Sequence, residues 1–118
     1  MQSNISKGKY GEALARDYLI DRGYKILELN YATKLGEIDI IALDGGIISF
    51  VEVKTRSNRN FGYAWEAVNY KKQRKIINTS SVYAKHKNIK NIQFRYDIIE
   101  IYLEKEIQIN HIKNAFEY

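Results

Sequence analysis

Apolar and polar residues follow two rhythms along this 118-residue chain, and each change of rhythm marks an element. From Lys9 to Arg22 the residues Tyr10, Ala13, Leu14 and Tyr18 recur at the spacing of one helix face, and Gly23 follows as a C-cap. Three short apolar runs come next, Tyr24–Leu29, Gly36–Leu43 and Ile47–Arg56, and the last two flank Asp44-Gly45-Gly46, a hairpin turn signal. These predict three strands. Asn69 suits the N-cap of a second helix running to about Lys87, with Ile76, Ile77, Ser80, Tyr83 and Ala84 on its buried side. Ile92–Leu103 sets Phe94, Tyr96 and Ile98 against Arg95 and Asp97, and Ile107 with Ile109 predicts a final edge strand beyond a turn near Glu104-Lys105. The order of elements predicts an α/β fold, a central mixed β-sheet of four to five strands flanked by helices. No proline, repeat or Gly/Ser linker divides residues 1–118, so they read as a single domain.

Composition narrows the setting. With 45% hydrophobic and 28% charged residues the chain reads as an ordinary globular protein, and Asp39, Asp44, Glu52 and Lys54 interrupt its most apolar stretch long before the roughly 20 residues of a membrane span. The absence of cysteine excludes disulfides and thiolate chemistry, and the first residues lack the apolar core of a secretory signal, so a cytoplasmic location is the expectation. The net charge of +5 is unevenly placed: from Lys54 to Lys90 ten Lys or Arg face one acid, Glu66. Such a block attracts phosphate backbones, and Arg56, Lys71, Lys72, Arg74 and Lys75 are its candidate nucleic-acid contacts. A solvated helix face would have the same pattern.

The hairpin carries acids where apolar residues would be cheaper. With a turn of about four residues, Ile38 faces Val53, Ile40 faces Val51, Asp39 faces Glu52, and Glu37 faces Lys54, leaving one apolar and one ionic face. Like charges opposite each other on a sheet repel, so Asp39 and Glu52 call for a cation between them. A divalent metal suits the pair, because Mg²⁺ takes one or two carboxylates and completes its shell with water and phosphate. Lys54, two residues beyond Glu52 on the same face, can hold a water or neutralise charge on a phosphate oxygen. A solvent-facing strand with Glu37 paired to Lys54 fits the same residues.

Asp39 followed by Glu52-Val53-Lys54 resembles the PD-(D/E)xK nuclease signature, with Ile38 in place of its proline. Gly11-Glu12, Gly36-Glu37-Ile38-Asp39-Ile40-Ile41-Ala42, Phe50-Val51-Glu52-Val53-Lys54-Thr55-Arg56, Phe61-Gly62, Lys72-Gln73 and Arg95-Tyr96-Asp97 are similar to the YraN family of small bacterial proteins. That family is regarded as candidate endonucleases related to archaeal Holliday junction resolvases. The resemblance implies a restriction-endonuclease-like fold, with Asp39, Glu52 and Glu12 as ligands of Mg²⁺ or Mn²⁺ and Lys54 orienting the attacking water. Glu37 and Gln73 are expected as outer residues, although Ile77 stands where some relatives of the superfamily have a tyrosine. The activity it implies is hydrolysis of phosphodiester bonds in branched or otherwise structured DNA. The alternatives are a nucleic-acid-binding factor on a nuclease fold and an adaptor whose basic helix meets an acidic partner.

Other residues carry weaker expectations. His86 and His111 stand alone and read as surface polar groups, while Tyr31, Phe61, Tyr63 and Trp65 could stack on bases. Two symmetry-related strands in a junction call for two sites, and a homodimer through Ile107, Ile109, Ala115, Phe116 and Tyr118 is the simplest way to supply them; folding of this tail onto its own sheet is the other reading.

Overall fold

The structure is a computed structural model that describes residues 4–57 and 68–117, so Arg59, Phe61, Gly62, Tyr63, Trp65 and Tyr118 lie outside the described residues. The elements are α1 (Asn4–Asp21), β1 (Lys25–Thr33), β2 (Gly36–Asp44), β3 (Ile47–Arg56), α2 (Tyr70–His86), β4 (Gln93–Leu103) and β5 (Ile107–Phe116). They form one mixed sheet in the order β1-β2-β3-β4-β5, in which β3 and β4 are parallel and the other neighbours antiparallel. The arrangement is the expected α/β fold and is consistent with a restriction-endonuclease-like architecture. Among the described residues no helix is long and apolar enough to cross a membrane.

Local chemistry ends the helices where the sequence signals stood. Gly23 takes φ +87°, the left-handed conformation that lets Tyr24 N–H return to the Leu19 carbonyl at 3.0 Å. At the start of α2 the Asn69 side chain accepts from Lys72 N–H at 3.0 Å. The buried face of α1 differs from the expected one: Gly11, Ala15 and Leu19 are buried, whereas Tyr10 is 45% exposed. Small residues at four-residue intervals bring this helix close to the sheet.

Both sheet faces are apolar, which corrects the expectation of one apolar and one ionic face. Ile38, Ile41, Ile48, Phe50, Tyr96 and Ile98 pack with Ile76, Ile77 and Tyr83 of α2, while Ile40, Ala42, Val51, Val53, Ile99 and Ile101 pack with Ala15 and Leu19 of α1. A β3 strand covered on both faces by helices has to be apolar at nearly every position. Ile38 and Ile40 therefore serve different layers, and the strand's parity changes at Asp39 between them.

A second polar centre ties β4 to its neighbours. Asp97 is fully buried and accepts from Ser49 Oγ (2.8 Å), Arg95 Nε (2.9 Å), Asn114 N–H (2.9 Å) and His111 Nε2 (2.8 Å), while Arg95 also reaches Asp44 (3.0 Å) and Tyr24 (2.8 Å). His111 is thus an interior residue, with its side chain 4% exposed, and only His86 is the surface group expected. The C-terminal segment folds back as edge strand β5, burying Phe116 against Tyr96 with ring centroids 5.4 Å apart. Thr79, Ser80 and Ser81 spend their hydroxyls on carbonyls one turn earlier in α2.

Candidate active site

The site begins where the β2–β3 ladder stops. Pairing runs from Asp44↔Ile47 to Ile40↔Val51, the register expected from the turn, and the described ladder goes no further. At the next step the Asp39 side chain, rather than a backbone carbonyl, accepts Val53 N–H at 2.8 Å. On the other side Asn30 of β1 takes φ +53° opposite this irregularity. Two strands splay there, and Asp39 and Glu52 meet at the opening instead of facing each other across a regular sheet. Glu37 is exposed and registers with Ala32 of β1, so the expected pairing of Glu37 with Lys54 is absent from the described ladder.

The opening leads into a cleft of about 510 Å³ lined by Lys7, Gly8, Glu12, Asp39, Glu52, Val53, Lys54, Thr55, Arg56 and Lys72. It gathers the three expected ligand carboxylates, the expected lysine and two of the expected basic contacts. Gln73 instead donates to the Val68 carbonyl at 3.1 Å, and Lys71, Arg74 and Lys75 stand on α2 outside the cleft lining. Glu52 is only 5% exposed, and its Oε2 accepts no aligned hydrogen bond among the described residues although the Lys72 ammonium stands 3.2 Å away.

Burial and neighbouring charge shift several ionisable groups of this cleft. Burial, then a hydrogen bond to Glu52 and the charge of Glu52, push the Asp39 carboxyl up to about 9. Burial and the nearby Glu37 raise Glu12, against a hydrogen bond from Asn30 that lowers it. Burial lowers Lys54, with Lys72 adding to the effect. For Lys72 burial also acts downward, but Glu52 beside it leaves the ammonium raised. The buried Glu52 and the half-buried Asp39, its carboxyl pushed up to about 9, set side by side oxygen donors of the kind a hard divalent cation takes. No group of three or more His, Cys, Asp or Glu side chains among the described residues is drawn into a ready metal cage, so Glu12 borders the pair from α1 rather than closing it.

Gly11 explains how α1 reaches the site. A Cβ at Gly11 would overlap the Thr55 hydroxyl of β3, so only glycine permits the contact that carries Glu12 into the cleft. Gly11→Ala is expected to cost about 1–3 kcal/mol, as overpacking does. Thermal melting checks this, and adding Thr55→Ala should recover part of the loss. The close approach is invisible in the sequence, as are the contributions of Lys7 to the cleft and of Asn30 to Glu12. Charge and the αL tolerance of Asn were their only signals.

Residues 11–101 match the uncharacterised protein family UPF0102. The chain is similar to a UPF0102 protein of Clostridioides difficile, 53% identical over 97% of this chain and 99% of the relative. It is also similar to UPF0102 proteins of Caldanaerobacter subterraneus, 51% identical over 92% of this chain and 93% of the relative, and of Persephonella marina, 48% identical over 94% and 93%.

Proposed function

The chain belongs to the uncharacterised protein family UPF0102, the YraN family, and on the chemistry of its cleft we propose that it is a metal-dependent endonuclease acting on structured, branched DNA. The observation that carries this reading is the convergence of Glu12, Asp39 and Glu52 with Lys7, Lys54, Arg56 and Lys72 in one open cleft. A pure binding surface for phosphate would not gather three carboxyl groups, one of them the buried Glu52, among its cations. Asp39 and Glu52 would hold Mg²⁺ or Mn²⁺ with Glu12 at its border, and the metal would supply a more acidic water and neutralise charge on the phosphate. Lys54 orients the attacking water or stabilises charge on a non-bridging oxygen, Lys72 balances Glu52, and Arg56 with Lys7 holds the flanking backbone. Lys71, Arg74 and Lys75 extend that positive surface along α2.

Four-way, flapped and linear DNA incubated with Mg²⁺, Mn²⁺ or chelator tests the reading, with Asp39→Ala as the paired variant. Metal-dependent cuts lost in that variant support it. Tight binding without any cut would make the chain a nucleic-acid-binding factor on a nuclease fold.

Metal should also stabilise the folded chain, because the carboxylates are gathered only there. At about 100 times the dissociation constant the expected gain is about 2.7 kcal/mol, read as a rise in melting temperature. An equal rise in Glu52→Ala would place the metal elsewhere.

A further inference from the structure

A second groove adjoins the cleft and shares Glu12 with it. It measures about 200 Å³ and is lined by Lys9, Glu12, Ala13 and Arg16 of α1 and by Leu29 and Asn30 of β1. Lys9, Glu12 or Ala13, and Arg16 recur on one face of α1 at helical spacing, so the helix presents two cations along the groove wall. The opposite wall offers the 44% exposed Leu29 and the exposed Asn30, which the left-handed turn at Asn30 sets beside Glu12. Among the described residues Arg16 pairs with its sequence neighbour Asp17 at 3.2 Å, the Arg16 side chain being half-buried and that of Asp17 exposed. Such a pair is worth little in water and exchanges readily for a phosphate.

Resting on the endonuclease reading, we infer that the groove between α1 and β1 binds the nucleotides on one side of the scissile phosphate, with Lys9 and Arg16 on backbone phosphates and Leu29 against sugar or base. The geometry behind this is continuity. A strand that sets one phosphodiester beside Glu12, Asp39 and Glu52 must leave the cleft at two ends; Lys7 and Arg56 line the cleft itself, and the groove continues past Glu12. The groove combines cations with an apolar wall, as a nucleotide does phosphate with base.

The test measures binding of a fluorescent single strand and a four-way junction by anisotropy in Ca²⁺ over a salt series, for the wild type and Lys9→Gln/Arg16→Gln. Loss of two phosphate contacts should flatten the slope of log affinity against log salt by about 1.4 on the single strand and about 1.8 on duplex arms, with an unchanged melting temperature. Because the chain contains no cysteine, Leu29→Cys carries a photo-crosslinker at a unique position. Its crosslinks should fall on nucleotides to one side of the cleavage position. A slope within about half a unit of the wild type overturns the groove assignment. So do crosslinks spread over both sides of the cut. Wild-type protein that binds neither DNA overturns the endonuclease reading as well, whereas wild type that binds and cuts while the double variant keeps its slope removes the groove alone.

Discussion

Asp39→Ala should lower the single-turnover cleavage rate by about a thousandfold or more while leaving DNA affinity unchanged or slightly stronger. The loss follows from position: Asp39 is the carboxylate at the splayed strand ends, bonded to Val53 N–H and beside Glu52, and one precisely placed electrostatic group is commonly worth about a hundred- to a thousandfold. A ligand of the metal that organises the reaction should exceed that range. Affinity should not fall, since the substitution leaves the cations that line the cleft in place. Asp39→Asn should be as inactive but behave differently in stability. With its carboxyl pushed up to about 9, Asp39 takes up a proton on folding, so metal-free wild type loses stability as pH rises from the ordinary carboxylate range towards that value. The amide resembles the protonated form and should remove this slope. Melting curves in chelator across pH 5 to pH 9 check it, and an Asp39→Asn protein with the wild-type slope would remove Asp39 as the source.

Asp97→Ala is the substitution expected to cost most in stability, about 3–5 kcal/mol, although it lies outside the cleft lining. The cost arises because Asp97 is fully buried, and its removal leaves the Arg95 guanidinium, Ser49 hydroxyl, His111 ring and Asn114 N–H without their shared acceptor. A chain of this size should then melt more than about 10 °C lower. The pH dependence has the opposite sign to that of Asp39. Burial alone would raise the Asp97 carboxyl, but hydrogen bonds from His111, Arg95, Asn114 and Ser49 hold it well below the usual carboxylate range. Its contribution is therefore complete above the unfolded carboxylate's range and is lost as pH falls below it. Acid unfolding of wild type and variant should converge at low pH. A variant that melts within about 1 °C of wild type at neutral pH would show that the network contributes nothing net.

The acids of the cleft and the acid at the centre of β4 were not equally legible. Asp39 and Glu52 break an apolar alternation on adjacent strands, and that violation, together with the hairpin turn at Gly45-Gly46, was enough to bring them together. Asp97 and His111 followed the alternation of an ordinary strand and an isolated histidine. Nothing local distinguishes an acid facing solvent from one facing four donors.

The element order, the β2–β3 register, the Asn69 and Gly23 caps and the approach of Asp39 to Glu52 could be read from the chain alone. Those rest on interactions between near neighbours along the chain, for which periodicity and turn chemistry suffice. The packing of distant segments settles that both sheet faces are covered, that β2 changes parity at Asp39, and that Gly11 lets α1 bring Glu12 alongside Glu52. It also decided that Lys72 turns into the cleft while Lys71 and Lys75 stay outside, and that His111 is an interior residue. Each of these depends on which surface packs against a residue from a distant part of the chain, and burial, desolvation and charge pairing exist only once that surface is in place.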